Sequence, residues 1–103
     1  MVTFIARLKA LPGKEAEAAE AIKEMVAAVE ANEAGALAYV AHTAPGSPGE
    51  FLFYEAYADE AAKDTHMKTP HLQKLIALMG PVFDGGFGVR IEDLERLAGS
   101  VRA

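Results

Sequence analysis

The chain has 103 residues, 51% of them apolar, with 10 basic and 15 acidic side chains and a net charge of -5. That length suits a single domain with its own core, and scattered positive charge in an acidic chain argues against nucleic acid or an anionic membrane as partner. No cysteine is present, so disulfides, zinc–thiolate sites, iron–sulfur clusters and thiol catalysis are excluded.

The sequence enters a strand pattern at once, without a charged n-region, apolar h-region or cleavage site. No window reaches the roughly 18 continuous apolar residues of a membrane span. A cytoplasmic protein is expected. A domain this small also leaves much apolar surface near water, which favours association.

Val2 to Lys9 alternates, with Val2, Phe4, Ala6 and Leu8 on one face and Thr3, Ile5, Arg7 and Lys9 on the other. Pro12-Gly13 marks a turn. Residues 14 to 32 predict a helix. Its apolar stripe is Ala18, Ile22, Met25, Val26 and Val29, and its early glutamates complement the positive helix N-terminus. Asn32 to Gly35 ends it, with Gly35 available for a left-handed backbone.

Leu37 to Thr43 and Phe51 to Tyr57 predict two antiparallel strands joined by a Pro/Gly loop. The second strand sets Phe51, Phe53, Glu55 and Tyr57 on one face and Leu52, Tyr54 and Ala56 on the other. Asp59 caps a short helix that ends near His66. Thr69, with Pro70 in the first helical position, caps another, which Gly80-Pro81 stops. Phe87 to Leu94 predicts a last strand, so the domain spans 1–94 and 95–103 form a tail.

The order β-α-β-β-α-β is the split-βαβ, ferredoxin-like α+β pattern. It implies a four-stranded antiparallel sheet with the helices on one face. The other face would lie bare, a reason to form a homodimer as a dimeric α/β barrel.

Residues 50–75 concentrate the chemistry: an aromatic strand runs into a proline-broken helix that carries two of the three histidines. Here and elsewhere the chain resembles the antibiotic biosynthesis monooxygenase domains. The resemblance rests on Leu11-Pro12-Gly13-Lys14, on Glu33-Ala34-Gly35-Ala36-Leu37-Ala38-Tyr39, on Phe53-Tyr54-Glu55-Ala56-Tyr57 and on His66-Met67-Lys68-Thr69-Pro70-His71-Leu72. It implies a cofactor-independent oxygenase that adds molecular oxygen to a phenolic, quinol or anthrone-like substrate. The protein would supply binding, proton removal and electrostatics. The family also includes haem-degrading and isomerase members, and a non-enzymatic binding module is a further alternative. Tyr57 stands where many members have Trp. The chain has no Trp, and its first strand has no Asn, which disfavours haem.

Within that frame His66 is the expected base, since an ordinary imidazole titrates near ~6.5. His71, Tyr57 and Tyr39 are expected to position a small aromatic substrate, and Glu55 to order the polar wall. The plainer readings are a helix-end His66 bonded to backbone, an exposed His71, packing tyrosines, and a Glu55 ion-paired to Arg7 or Arg90. The histidine pair alone predicts no metal site: its five-residue spacing crosses a proline, and no third ligand stands out. His42 is expected to be exposed, and the methionines to lie in the core.

Overall fold

The computed structural model describes residues 1–101. Its elements are β1 (Val2–Lys9), α1 (Glu15–Asn32), β2 (Ala36–Ala44), β3 (Ser47–Tyr57), α2 (Glu60–Met67), α3 (Pro70–Ile76) and β4 (Arg90–Leu94). The strands form one antiparallel sheet in the order β2-β3-β1-β4. This is the ferredoxin-like arrangement, with the central helical pair of that pattern completed by a broken α2–α3 unit.

Alternation decides which side chains enter the core. Phe4, Ala6 and Leu8 of β1 lie opposite Glu55, Phe53 and Phe51 of β3, and all six are buried. The α1 stripe Ala18, Ile22, Met25 and Val29 closes over them. Each large apolar side chain so buried contributes about 1.5–3 kcal/mol. On the outer face Val40 is exposed, Ile5, Leu52 and Tyr54 are half-buried, and Thr3 and Ala56 are buried, so that face is only partly bare.

Local chemistry sets the boundaries. Asp59 accepts a hydrogen bond from the Ala62 N–H at 2.8 Å and starts α2, and Thr69 accepts from the Leu72 N–H at 3.3 Å and starts α3. Between them the Thr69 hydroxyl donates to the His66 carbonyl at 2.8 Å, which fixes the step from one helix to the next.

Several details depart from the sequence expectation. The β3 strand begins at Ser47 rather than Phe51, because Ser47 already pairs with Ala44 around a Pro45-Gly46 turn in which Gly46 has φ +78°. Pro48 fits because β1 has not yet joined that end of β3. The α3 helix ends at Ile76, and turns carry the chain to Gly80. The last strand begins at Arg90, since the Asp84 carboxylate draws the Gly86 and Phe87 N–H groups into a turn. Gly35 does not take a left-handed backbone; its lack of Cβ serves a close approach to Ala62 instead. Val82 and Phe83, hidden in sequence behind Gly80-Pro81, are core residues beside the end of β1. Residues 95–101 form neither helix nor strand, and Leu97 is fully exposed.

Candidate functional site

Between the inner face of the sheet and the α2–α3 unit lies a cavity of about 360 Å³. Its walls are mostly apolar: Phe4, Phe53, Leu72 and Leu75 belong to it, and Met67, Ile76, Val89 and Ile91 form an exposed rim. Tyr39, Glu55 and His66 bring polar groups to this apolar wall, and Lys63 brings a cationic one. The Lys63 ammonium sits 5.5 Å from the Phe4 ring centroid, close enough for a cation–π contact.

The polar groups form a connected line. The Tyr57 hydroxyl donates to Glu55 Oε1 at 2.6 Å. Glu55 Oε1 lies 3.9 Å from His66 Nε2. On the opposite side of that ring, His66 Nδ1 lies 2.9 and 3.0 Å from the two oxygens of Glu33. Glu33 Oε2 in turn meets His71 Nε2 at 2.5 Å. A carboxylate can only accept, so a hydrogen of His66 belongs on Nδ1; in the neutral ring the lone pair is then on Nε2, towards Glu55. His66 is 2% exposed and its ring lies 5.3 Å from that of Tyr39 and 5.2 Å from that of Tyr57.

Burial dominates the electrostatics. It pushes the Glu55 carboxyl up to about 7; the Tyr57 hydrogen bond and Lys63 pull it down, and Glu33 pushes it further up. Both Tyr39 and Tyr57 are raised well above the usual phenol range, first by burial and then by neighbouring carboxylates. Each therefore remains a neutral hydroxyl near pH 7, able to donate a hydrogen bond.

The five residues singled out in the sequence do converge, but in two layers. Tyr39, Glu55 and His66 line the cavity. Tyr57 is fully buried behind Glu55, and His71 stands behind His66, beside a shallow depression between α1 and α3. Neither of those two reaches the cavity wall. Arg7 and Arg90 are not partners of Glu55. Arg7 lies opposite Leu52 on the outer face and pairs with Glu92 at 3.1 Å, and Arg90 stacks over Phe87. His42 is exposed, as expected.

Glu33 is the member of this polar line that the sequence reading did not single out. One signal did point to it. It sits at the C-terminal end of α1, whose last turn carries no basic residue. A carboxylate there opposes the helix dipole and needs a hydrogen-bond donor from elsewhere in the fold. His66 and His71 supply it, and the three side chains bring two ring nitrogens and a carboxylate oxygen within 4.8 Å of one another.

The model of the antibiotic biosynthesis monooxygenase family matches residues 1–78. The chain belongs to that family. No curated protein matches it. Among solved structures, a candidate antibiotic biosynthesis monooxygenase of Caulobacter crescentus is 31% identical, covering 94% of this chain and 90% of its own, with a TM-score of 0.83. A protein of Pseudomonas aeruginosa is 29% identical over 94% of each chain, TM-score 0.84. A Bacteroides thetaiotaomicron protein shares the fold at a TM-score of 0.87, with 24% identity over 99% of this chain and 94% of its own. The family match ends just after α3, so β4 and the rim residues Val89 and Ile91 lie beyond it. Among the described residues no helix is long and apolar enough to cross a membrane.

Proposed function

We propose that this family member is a cofactor-independent monooxygenase for a small phenolic, quinol or anthrone-like substrate, working as a homodimer packed through the outer face of its sheet. The observation that supports this reading most is His66, held by Glu33 on Nδ1 and left with a free Nε2 on the wall of an apolar cavity.

An aromatic substrate loses water on entering the cavity, and the low polarity of the walls strengthens each polar contact inside. His66 Nε2 takes the acidic proton, and the resulting imidazolium is stabilised by Glu33 on one side and Glu55 on the other. The Tyr39 hydroxyl, kept neutral by burial, donates to the new oxyanion. The electron-rich anion passes one electron to molecular oxygen, and the substrate radical and superoxide then combine into a C–O bond. His66 returns its proton to the peroxide, and as the O–O bond breaks the remaining C–H hydrogen on the same carbon is lost as a proton, its electron pair forming the C=O bond and the proton completing the water. One oxygen atom stays as a carbonyl and the other leaves as water, with all four electrons drawn from the substrate. A phenol thus becomes a quinone, and an anthrone methylene becomes a ketone. Among the described residues a phosphorylated sugar would meet one cationic side chain on the cavity wall, Lys63, which makes isomerisation the weaker reading.

Dissolved-oxygen consumption by metal-stripped protein tests the proposal, with a panel of hydroquinones and anthrones run against their spontaneous oxidation. Uptake above the blank is expected for at least one substrate, with a loss of about 10²–10⁴-fold in His66→Ala. Uptake no faster than the blank across the panel, or full turnover in a folded His66→Ala, overturns it.

A further inference from the structure

The histidine pair lacked a third partner in the sequence, and the fold provides one in Glu33, at the far end of α1. Its carboxylate lies between the two rings, and the three side chains are only 5%, 3% and 14% exposed for Glu33, His66 and His71. Two imidazoles and a carboxylate are a donor set that zinc-class transition ions bind at about 2.0–2.2 Å. The present nitrogen–oxygen separations are 2.5–3.0 Å. A tetrahedral site with such bonds has edges of roughly 3.3 Å, so the nitrogen–oxygen edges need open by only some tenths of an ångström, while the two ring nitrogens, within 4.8 Å of one another, close towards the same edge length.

The surroundings fit an ion as well. A ligating histidine usually directs its other ring nitrogen at a carboxylate. The other nitrogen of His66 faces Glu55 at 3.9 Å, and Glu55 is itself fixed by Tyr57. On its outer side His71 borders a depression of about 100 Å³ between α1 and α3, with Glu24 and Lys74 at its edge.

We propose that Glu33, His66 and His71 bind a divalent transition ion of the zinc class, and that the bound ion shuts off proton transfer at His66. The binding half stands on the cluster alone; the second half rests on the base role proposed above. In the metal-free protein the hydrogen sits on Nδ1 and the Nε2 lone pair can accept. With an ion on Nδ1, the hydrogen must sit on Nε2, directed at Glu55, and the ring has no lone pair left for a substrate proton. The two occupancies of His66 exclude one another, so the ion acts as an inhibitor and not as a cofactor.

The test titrates metal-stripped protein with Co²⁺, read by its d–d absorption and by calorimetry, followed by Zn²⁺ competition. Saturable binding of one ion per chain, displaced by Zn²⁺, is expected. Affinity should fall in Glu33→Gln and His71→Ala, each shown folded by circular dichroism, by more than the roughly 10–100-fold typical of losing an outer partner. His42→Ala, on an exposed strand position, should bind as the wild type does. No saturable binding, or equal binding by Glu33→Gln and His71→Ala, overturns the site. This titration needs no substrate, so it decides the binding half even if no oxygenase activity is found. If oxygen uptake is found and continues undiminished at saturating Zn²⁺, the inhibitory half fails by itself.

Discussion

Replacing Glu55 by Gln should remove a pH dependence of stability that the buried carboxyl imposes. The side chain is 5% exposed and its pKa rises from an ordinary carboxyl value of 4.5 to about 7. A raised folded-state pKa means that the native state holds a proton the unfolded chain has already released. The resulting stability is therefore complete below the unfolded value near 4.5 and is lost as pH climbs through about 7. A difference of 2.5 units, taken as 7 minus 4.5, corresponds to about 3 kcal/mol. Gln keeps an oxygen for the Tyr57 hydroxyl and carries no charge at any pH. Relative to wild type, Glu55→Gln should thus gain up to about 3 kcal/mol between pH 4.5 and pH 8. At roughly 4 °C per kcal/mol for a domain of this length, the gap in Tm should change by on the order of 10 °C. Urea denaturation of both proteins across that range, with chelator present, measures it. A constant difference between the two would refute the claim that Glu55 is a carboxyl kept protonated by burial near neutrality.

Two further outcomes follow from the same geometry. Tyr57→Phe removes the hydroxyl that favours the Glu55 anion, so the pH at which that stability is finally lost, set by the folded-state carboxyl, should move above about 7; the cost should be about 1.5–3 kcal/mol above pH 8 and smaller at pH 5, with an unmoved profile counting against the bond. Gly35→Ala places a Cβ 2.6 Å from that of Ala62 and should destabilise by about 1–3 kcal/mol; the double variant with Ala62→Gly should recover part of this, and an unchanged denaturation midpoint in the single variant would remove the close-approach explanation.

The fold was legible wherever one periodicity governed a whole segment. Residues 2–9 alternate without interruption, and Ala18, Ile22, Met25 and Val29 repeat at helical spacing, so β1 and α1 form where the pattern predicts. Thr69-Pro70 announced the break between α2 and α3 because cap and proline chemistry are local. Pairing that depends on distant partners was not legible. Ser47 to Gly49 read as loop because a proline in a strand is acceptable only where a neighbouring strand has ended, and no single stretch of sequence shows that end. Val82 and Phe83 were masked in the same way, since their burial comes from the end of β1 some seventy residues upstream. At the site, alternation correctly put Glu55 and Tyr57 on one face of β3. It could not order them in depth, because which of the two meets the cavity depends on where α2 packs. Glu33 was the largest omission: its partners are 33 and 38 positions away, and only the fold brings them together.

The step between α2 and α3 carries a constraint on chain length. Five positions along an unbroken helix would turn two side chains about 140° apart, so His66 and His71 could not both address one carboxylate. The break instead brings their ring centroids to 6.4 Å, with Glu33 reached by both. Lys68 between them is exposed and lines neither cavity, so almost any side chain should be tolerated there, whereas Met67 belongs to the cavity rim. Their number is a different matter, because gaining or losing one residue would turn His71 away from Glu33. This short segment therefore works as a ruler, permissive at Lys68 and strict in length.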